Sequence, residues 1–440
     1  MKEWGITKNY LDDLYVRFFR IAERRIAETT GKGVMCFISN FSYVTDPSFV
    51  VMREGFLRSF QCIWIDCMNG DSRETGKLTP EGKPDPSVFS TPYNREGIRV
   101  GTAICLAARR DPRGNPRVLF RHFWGVNKNA DLLASLRVAR IDGEYVKATA
   151  DVKNRYSFRP MRVRREYEKW PGIAELCATA PMLGLNENRS GALQDIEREK
   201  LVDRIQKYYD SQTGWKEIVA MGTGLSAPAA GFHPVEVRQK VLSEEEFSPN
   251  RVVRYVRRPY DIVWAYVSDV SPLWNRSRPE LRRRFVRSSY AVITRPTSAA
   301  SPEGVPFLAT TFWGEQDLIR GHAYYFPIFL VPEGKNVKKG QEHQLELQAT
   351  SLEQKPTTNL SADVRAYLAK LGIKNVETNV QRASVIWMHA LAIGYSPAYL
   401  KENADGIRQD WPRIPLPKSA EMLERSAALG RKIASLLDTE

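Results

Sequence analysis

The runs "CIWIDC" (62–67) and "GIRVGTAICLAARR" (97–110) bracket the 26 residues "NGDSRETGKLTPEGKPDPSVFSTPYN" (69–94). Both flanks are short, apolar and bounded by turn residues, and they read as buried strands. The stretch between them is almost wholly polar. Connections in compact domains have a median of about 4–6 residues, and much longer ones are usually functional or disordered. This insertion is therefore the first candidate for function. Working outward, "GVMCFISN" (33–40) suits a fully buried parallel strand. "DPSFVVMREGFLRSF" (46–60) predicts a helix with Asp46 as N-cap and Pro47 at its first position. Further upstream, Leu11, Leu14, Phe18, Ile21 and Ala22 recur at helical spacing, and Gly31 and Gly33 end that helix. Downstream come a turn at 110–117, the run "VLFRHFWG" (118–125) and a helical "NKNADLLASL" (127–136). Helix–strand–helix–strand followed by further strands is the rhythm of an α/β sheet, assigned here to residues 1–150.

From Asp151 the texture changes. "NRYSFRPMRVRREYEKWP" (154–171) interleaves arginines with Tyr156, Phe158 and Tyr167, and residues 190–209 predict a charged amphipathic helix. Residues 151–230 thus read as a basic helical connector. The small-residue stretch "GTGLSAPAAGFHP" (222–234) marks the expected boundary to a third region, 231–440. That region holds short β-like runs at 261–268, 289–295, 306–314 and 322–331, then helices near 361–371, 381–392 and 418–437. It reads as mixed α/β.

The chain has 440 residues, of which 65 are Lys or Arg and 51 Asp or Glu, giving a formal net charge of +14. Such an excess points to a polyanionic partner, nucleic acid before anionic membrane. Cys36, Cys62, Cys67, Cys105 and Cys177 sit mostly in apolar runs without a CxxC pair. They read as small buried hydrophobes of a reducing compartment. No signal peptide and no run of 18 apolar residues is found, so a cytoplasmic location and no membrane partner are expected. Nothing in the sequence matches a dinucleotide-binding loop, a P-loop, an HExxH zinc site or a nucleophile elbow. The five histidines are scattered, so no metal site is expected. "TGKG" (30–33) follows a helix and precedes a strand, the reverse of what phosphate binding at a helix N-terminus needs; it reads as a helix stop.

The positive signal is arginine density. From Arg251 to Arg287 there are ten arginines against three acids. Arg254, Arg257, Arg258, Arg276, Arg278, Arg282, Arg283, Arg284 and Arg287 are candidate DNA-binding residues, because the guanidinium fork suits phosphates and guanine edges. Tyr255, Tyr260, Trp264, Trp274 and Phe285 lie among them. Aromatic faces can stack on bases, yet individually these residues read as core more readily than as base platforms.

Six stretches carry a family resemblance. "GKGVMCFISNFSYVTDPSFVVMREGFL", "MNGDSRETGKLTPEGKPDPSVFST" and "GIRVGTAICLAARR" resemble the later part of the gamma-class adenine-N6 methyltransferase module of Type ISP restriction–modification enzymes. "VRYVRRPYDIVWAYV", "PLWNRSRPEL" and "YSPAYLKENADGIRQDWPRIPLP" resemble the specificity region that follows it. The resemblance implies part of a Rossmann-like methyltransferase sheet, then the connector, then a target-recognition domain, in a system that methylates adenine in DNA and serves phage defence. The glycine-rich S-adenosylmethionine loop and the NPPY-type motif of the family are absent; "STPYN" (90–94) and "RPYD" (258–261) share only the Pro-Tyr pair. No catalytic residue is therefore named, and the chain alone is expected neither to bind the methyl donor nor to methylate. The complete enzyme would use S-adenosylmethionine, and a separate chain carrying the missing methyltransferase half is a candidate partner. The expected partner is double-stranded DNA. The 69–94 loop, with Arg73, Lys77, Lys83 and Arg95, would hold phosphates around a nucleotide flipped out of the duplex; the competing reading is a cover over the sheet edge. A stand-alone DNA-binding specificity protein and an inactive remnant remain as alternatives.

Overall fold

Phe19 explains how the first region is assembled. It lies on the helix Leu14–Arg24 with its ring centroid 5.0 Å from Phe37, 5.2 Å from Tyr43 and 5.5 Å from Phe56. The computed structural model describes residues 4, 12–72, 75–110, 114–137, 141–229, 231–287, 289–296, 305–319, 322–332 and 355–438. Within the helix the buried face runs through Val16 and Phe19 and on to Ile26 in the turn that follows, while Leu14, Phe18 and Ile21 are exposed. The apolar stripe read from the sequence is thus not the packed one. Both stripes have helical spacing, and only the partners at hand decide which is covered. The helical segment stops at Gly31, with φ 72°.

Strands β1 (Gly33–Asn40), β2 (Cys62–Asn69), β3 (Thr102–Arg109), β4 (Arg117–His122) and β5 (Val146–Ala148) form one sheet in the order β1-β3-β2-β4-β5. Only β2 and β4 are parallel. β1 was expected as a buried parallel strand; it runs antiparallel to β3 instead. Among the described residues it has no other partner, and Val34 and Ile38 are 64% and 50% exposed. Its apolar run covers both faces although only Met35 is fully buried. Cys36 is exposed as well, unlike the buried Cys62, Cys67 and Cys105. Asp46 caps the 3-10 turn Pro47–Phe49 that leads into the helix Val50–Ser59, its carboxylate accepting from the Ser48 amide at 2.7 Å. From that helix, the buried Arg53 donates to the carbonyls of Tyr43, Asp46 and Arg155 at 2.8–3.1 Å. Three backbone carbonyls thus replace the water that a buried guanidinium loses.

The chain divides into two compact units, one ending at Val163 and the other beginning at Arg164. This differs from the three regions read from the sequence. The helix Arg198–Tyr209 buries Leu201, Ile205 and Tyr208 beside Val253, Tyr255, Val263 and Trp274 in a single core. The expected boundary at 222–234 runs inside that unit, with Leu225 and Phe232 fully buried. A stretch rich in Gly, Ala and Ser looks like a linker, but two large apolar side chains suffice to seat it.

Among the described residues, the second unit carries two four-stranded sheets and a two-stranded one. The first joins β12 (Trp313–Gly314), β8 (Val252–Arg258), β9 (Asp261–Tyr266) and β7 (Gln194–Asp195). The next joins β11 (Leu308–Thr310), β10 (Ala291–Thr294), β13 (Tyr324–Pro327) and β6 (Met182–Leu183). β14 (Phe329–Leu330) pairs with β15 (Thr357–Thr358). Helices Ala362–Lys370, Val380–Gly394 and Ala420–Leu437 contribute a further core around Trp387, Leu391 and Leu423. The mixed α/β character expected from the sequence is what the structure shows.

Candidate nucleic-acid interface

The long insertion after β2 is held by its acids. Asp85 is fully buried and accepts from the Gly70 and Gly125 amides, each at 2.8 Å. The Lys128 ammonium lies 2.7 Å from the same carboxylate and donates to the Met68 carbonyl at 2.7 Å. Burial pulls Lys128 below the usual lysine range, and the Asp85 charge opposes that shift. Asp71, also buried, takes the Gly101 amide at 2.7 Å, and its carbonyl takes the Lys77 amide at 2.8 Å. A small hairpin (Thr79 N to Lys83 O, 2.7 Å; Asp85 N to Lys77 O, 2.7 Å) fills the middle. The insertion therefore packs as a compact loop with its ends tied together.

Its basic residues have different fates. Arg73 lies outside the described residues. Lys77 has φ 59° and turns back to donate to the Glu96 carbonyl. Lys83 and Arg95 are exposed. Beside Arg95, Tyr93 is fully exposed on a turn closed by the Thr91 and Asn94 backbones, at 2.9 and 3.2 Å.

In the second unit the arginines sort by depth. Arg282 is buried, donating to the Ser277 carbonyl at 2.7 Å and pairing with Asp269. Arg251 is buried against Glu245. Arg283 and Arg284 are half-buried. The remaining cations lie nearer the surface. Arg254 packs over Trp264 at 5.0 Å, and Arg198 approaches the same ring at 5.7 Å. Arg257 pairs with Asp261 at 2.8 Å. Arg258 and Arg276 are exposed. Arg287 sits 5.2 Å over Trp313. Arg278 is half-buried, and burial pulls its guanidinium down from the usual range. Of the five aromatics in this stretch, Tyr255, Trp274 and Phe285 are core, Trp264 is half-buried and Tyr260 is exposed at the β8–β9 turn.

Sequence reasoning passed over three polar residues that end up beside these arginines. Glu315 is buried, accepts from the Tyr255 hydroxyl at 3.1 Å, and is pushed by burial up to about 7. Gln316 accepts from Arg278 at 2.8 Å. His322 lies 3.1 Å from the Gln316 amide nitrogen and 3.0 Å from Asp317. A single Gln or His in a β-rich stretch carries no signal by itself; only the pairing of distant segments gives it one. Among the described residues no group of three or more His, Cys, Asp or Glu is placed to hold a metal ion. Among them, too, no helix is long and apolar enough to cross a membrane.

Residues 182–437 match the family model described as Type ISP C-terminal specificity domain. No curated protein matches the sequence. Among solved structures, the chain resembles a nuclease-deletion mutant of the Type ISP restriction–modification enzyme LlaGI in complex with a DNA substrate mimic, with TM-score 0.66, 17% identity, and coverage of 98% of this chain and 37% of that one. It also resembles DrdV in a DNA complex, with TM-score 0.65, 19% identity, 98% of this chain and 40% of that one. A third is the ATP-dependent Type ISP enzyme LlaBIII bound to DNA, with TM-score 0.67, 15% identity, 98% of this chain and 27% of that one. At these identities the likeness is one of fold. The chain spans between 27% and 40% of the length of those chains. With the family model covering more than half of it, the chain belongs to the Type ISP C-terminal specificity domain family.

Proposed function

We propose that this chain is the DNA-recognition and target-base-handling part of an adenine-N6 DNA methyltransferase in a restriction–modification system. The observation that carries the reading is the specificity-domain match over 182–437, on a fold whose surface keeps Arg257, Arg258 and Arg276 accessible while Arg251 and Arg282 are consumed by the core. In the reading, the second unit binds duplex DNA through its surface arginines. Phosphate contacts position it, and base-edge contacts choose the site. The first unit contributes the 69–101 loop near the target base, with Lys83 and Arg95 as its cations.

The residues present do not fit S-adenosylmethionine. The family's methyl-donor site uses a glycine-rich turn from strand to helix; β1 leads into its helical turn through Phe41, and β4 leads into the helix Lys128–Ser135 through a turn with the single Gly125. No step of methyl transfer is therefore assigned to this chain. Its part is to bind, orient and select. Phage defence, a cytoplasmic location and a second chain carrying the donor loop and the NPPY-type motif belong to the same proposal.

The test is binding of the purified chain to duplex DNA over a range of salt, followed by methylation assays with and without a polypeptide carrying the missing motifs. The reading expects salt-dependent duplex binding and methyl transfer only in the mixture. Methyl transfer by the chain alone, or no affinity for duplex DNA, overturns it.

A further inference from the structure

Three segments distant in sequence meet at one place in the second unit. Residues 184–186 lie between 275–278 and 314–316. The Leu185 amide donates to Gly314 at 2.9 Å and the Gln316 amide to Leu185 at 2.5 Å, while Asn186 and Arg276 exchange two backbone bonds of 2.9 Å each. The approach is so close that a Cβ at Gly184 would sit 2.7 Å from the Glu315 carbonyl oxygen. On this scaffold the polar side chains form a chain of contacts. Arg278 donates to Gln316 Oε1 at 2.8 Å and to the Gly184 carbonyl at 3.3 Å. Gln316 Nε2 faces His322 at 3.1 Å. The Asn275 amide donates to Asn186 Oδ1 at 2.8 Å.

We infer that Arg276, Arg278, Gln316 and Asn186, steadied by His322, are the groups that read base-pair edges in the target duplex. The inference rests on the DNA-recognition reading above and gives it specific residues. Arg and Gln or Asn are the side chains whose forks match guanine O6/N7 and adenine N6/N7 respectively. Here their orientation is settled in advance. The Arg278 guanidinium can only donate, so Gln316 must turn its oxygen toward it. One amide hydrogen and one lone pair of Gln316 then remain beyond its contacts among the described residues. Arg278 and His322 both adopt left-handed backbone, with φ 48° and 80°. Side chains avoid that region unless the surroundings impose it, and such residues gather at binding sites. A further exposed cation, Arg258, lies close enough to Glu315, next to Gln316, for its charge to act on that carboxyl. If the cluster only closed the protein surface, a hydrophobic contact or a simple ion pair would serve it as well.

The experiment is selection of duplexes from a random pool by the full chain and by its Arg278→Ala, Arg278→Lys and Gln316→Ala variants, with thermal melts of each. Affinity for the selected consensus and for an unrelated duplex is measured alongside. The expected result is a consensus in which Arg278→Ala and Gln316→Ala each lose preference at one or two adjacent base pairs. Affinity for the wild-type consensus then falls about ten- to a hundred-fold, while the unrelated duplex changes less than about two-fold. Arg278→Lys keeps the charge and the melting temperature yet also loses the preference, because a point charge cannot replace the fork. Variants that fold and select the wild-type consensus overturn this assignment and leave the DNA-recognition reading standing. A wild-type chain that holds no duplex overturns that reading, and this assignment with it.

Discussion

The 69–94 loop of the first unit and the arginine-rich 251–287 segment of the second are the two stretches that sequence reading singles out for ligand contact, and they are built in opposite senses. The loop buries two of its acids: Asp71 and Asp85 accept from backbone amides, while Lys83 and Arg95 are exposed. The 251–287 segment buries cations: Arg251 and Arg282 pair with Glu245 and Asp269, and other arginines are left to the surface. In both, one set of charges is spent on holding the backbone in place, while others, Lys83 and Arg95 in the loop and Arg258 and Arg276 in the segment, are exposed. Which set is which does not follow from charge density. It follows from where backbone amides or carboxylates need a partner.

The comparison breaks most visibly if the buried anchors are removed. Asp85→Ala strands Lys128 in a site where its side chain is 3% exposed. Loss of one partner of a buried pair costs about 3–5 kcal/mol, so the first unit should unfold at markedly lower denaturant. Unfolding followed by tryptophan fluorescence checks this, and an unchanged midpoint would show that the loop is not held by Asp85. Arg282→Ala should cost about 3 kcal/mol for the same reason. It should leave the salt dependence of DNA binding unaltered in protein that remains folded, since Arg282 faces Asp269 and Ser277 and not solvent.

Glu315 sharpens the contrast within the second unit. Burial raises its carboxyl from 4.5 to about 7. The folded protein therefore holds a proton that the unfolded chain gives up, so the contribution is complete below about pH 4.5 and is lost as pH rises through about 7. It amounts at most to roughly 3 kcal/mol. Melting temperatures of wild type and Glu315→Gln between pH 5 and 8 should diverge, with the wild type falling more steeply. Parallel curves would show that Glu315 does not titrate there.

Surface cations should act on binding and not on folding. Arg254, Arg257 and Arg258 changed together to Ala should flatten the slope of log K against log salt by up to about 2.7 units, at about 0.9 per phosphate. Lys83→Ala with Arg95→Ala should give the smallest effect: stability within about 0.5 kcal/mol of wild type, and a modest loss of affinity equal for all sequences, because the loop is read as touching phosphates only. A changed consensus in that double variant would mean that the loop reads bases.

Some of this molecule was legible one segment at a time. The Asp46 cap, the stop at Gly31 and the helices near 362–370, 380–394 and 420–437 depend on neighbours within a turn or two, so local spacing reveals them. The resemblance carried by whole stretches placed the chain in its family before any contact was known. Tertiary structure alone decided the rest. Helical spacing offers two stripes on Leu14–Arg24, and Phe37, Tyr43 and Phe56 choose the one that includes Phe19. The run 33–40 could be parallel or antiparallel, and pairing with β3 settles it. A count of arginines cannot tell the buried Arg282 from the exposed Arg258, because Arg282 is seated by an acid 13 residues away in sequence. Gln316 and His322 have no local pattern at all. Gln316 reaches Arg278 only because residues 184–186 bring 275–278 and 314–316 side by side, and contacts between segments so far apart in sequence are a property of the fold and not of any stretch of the chain.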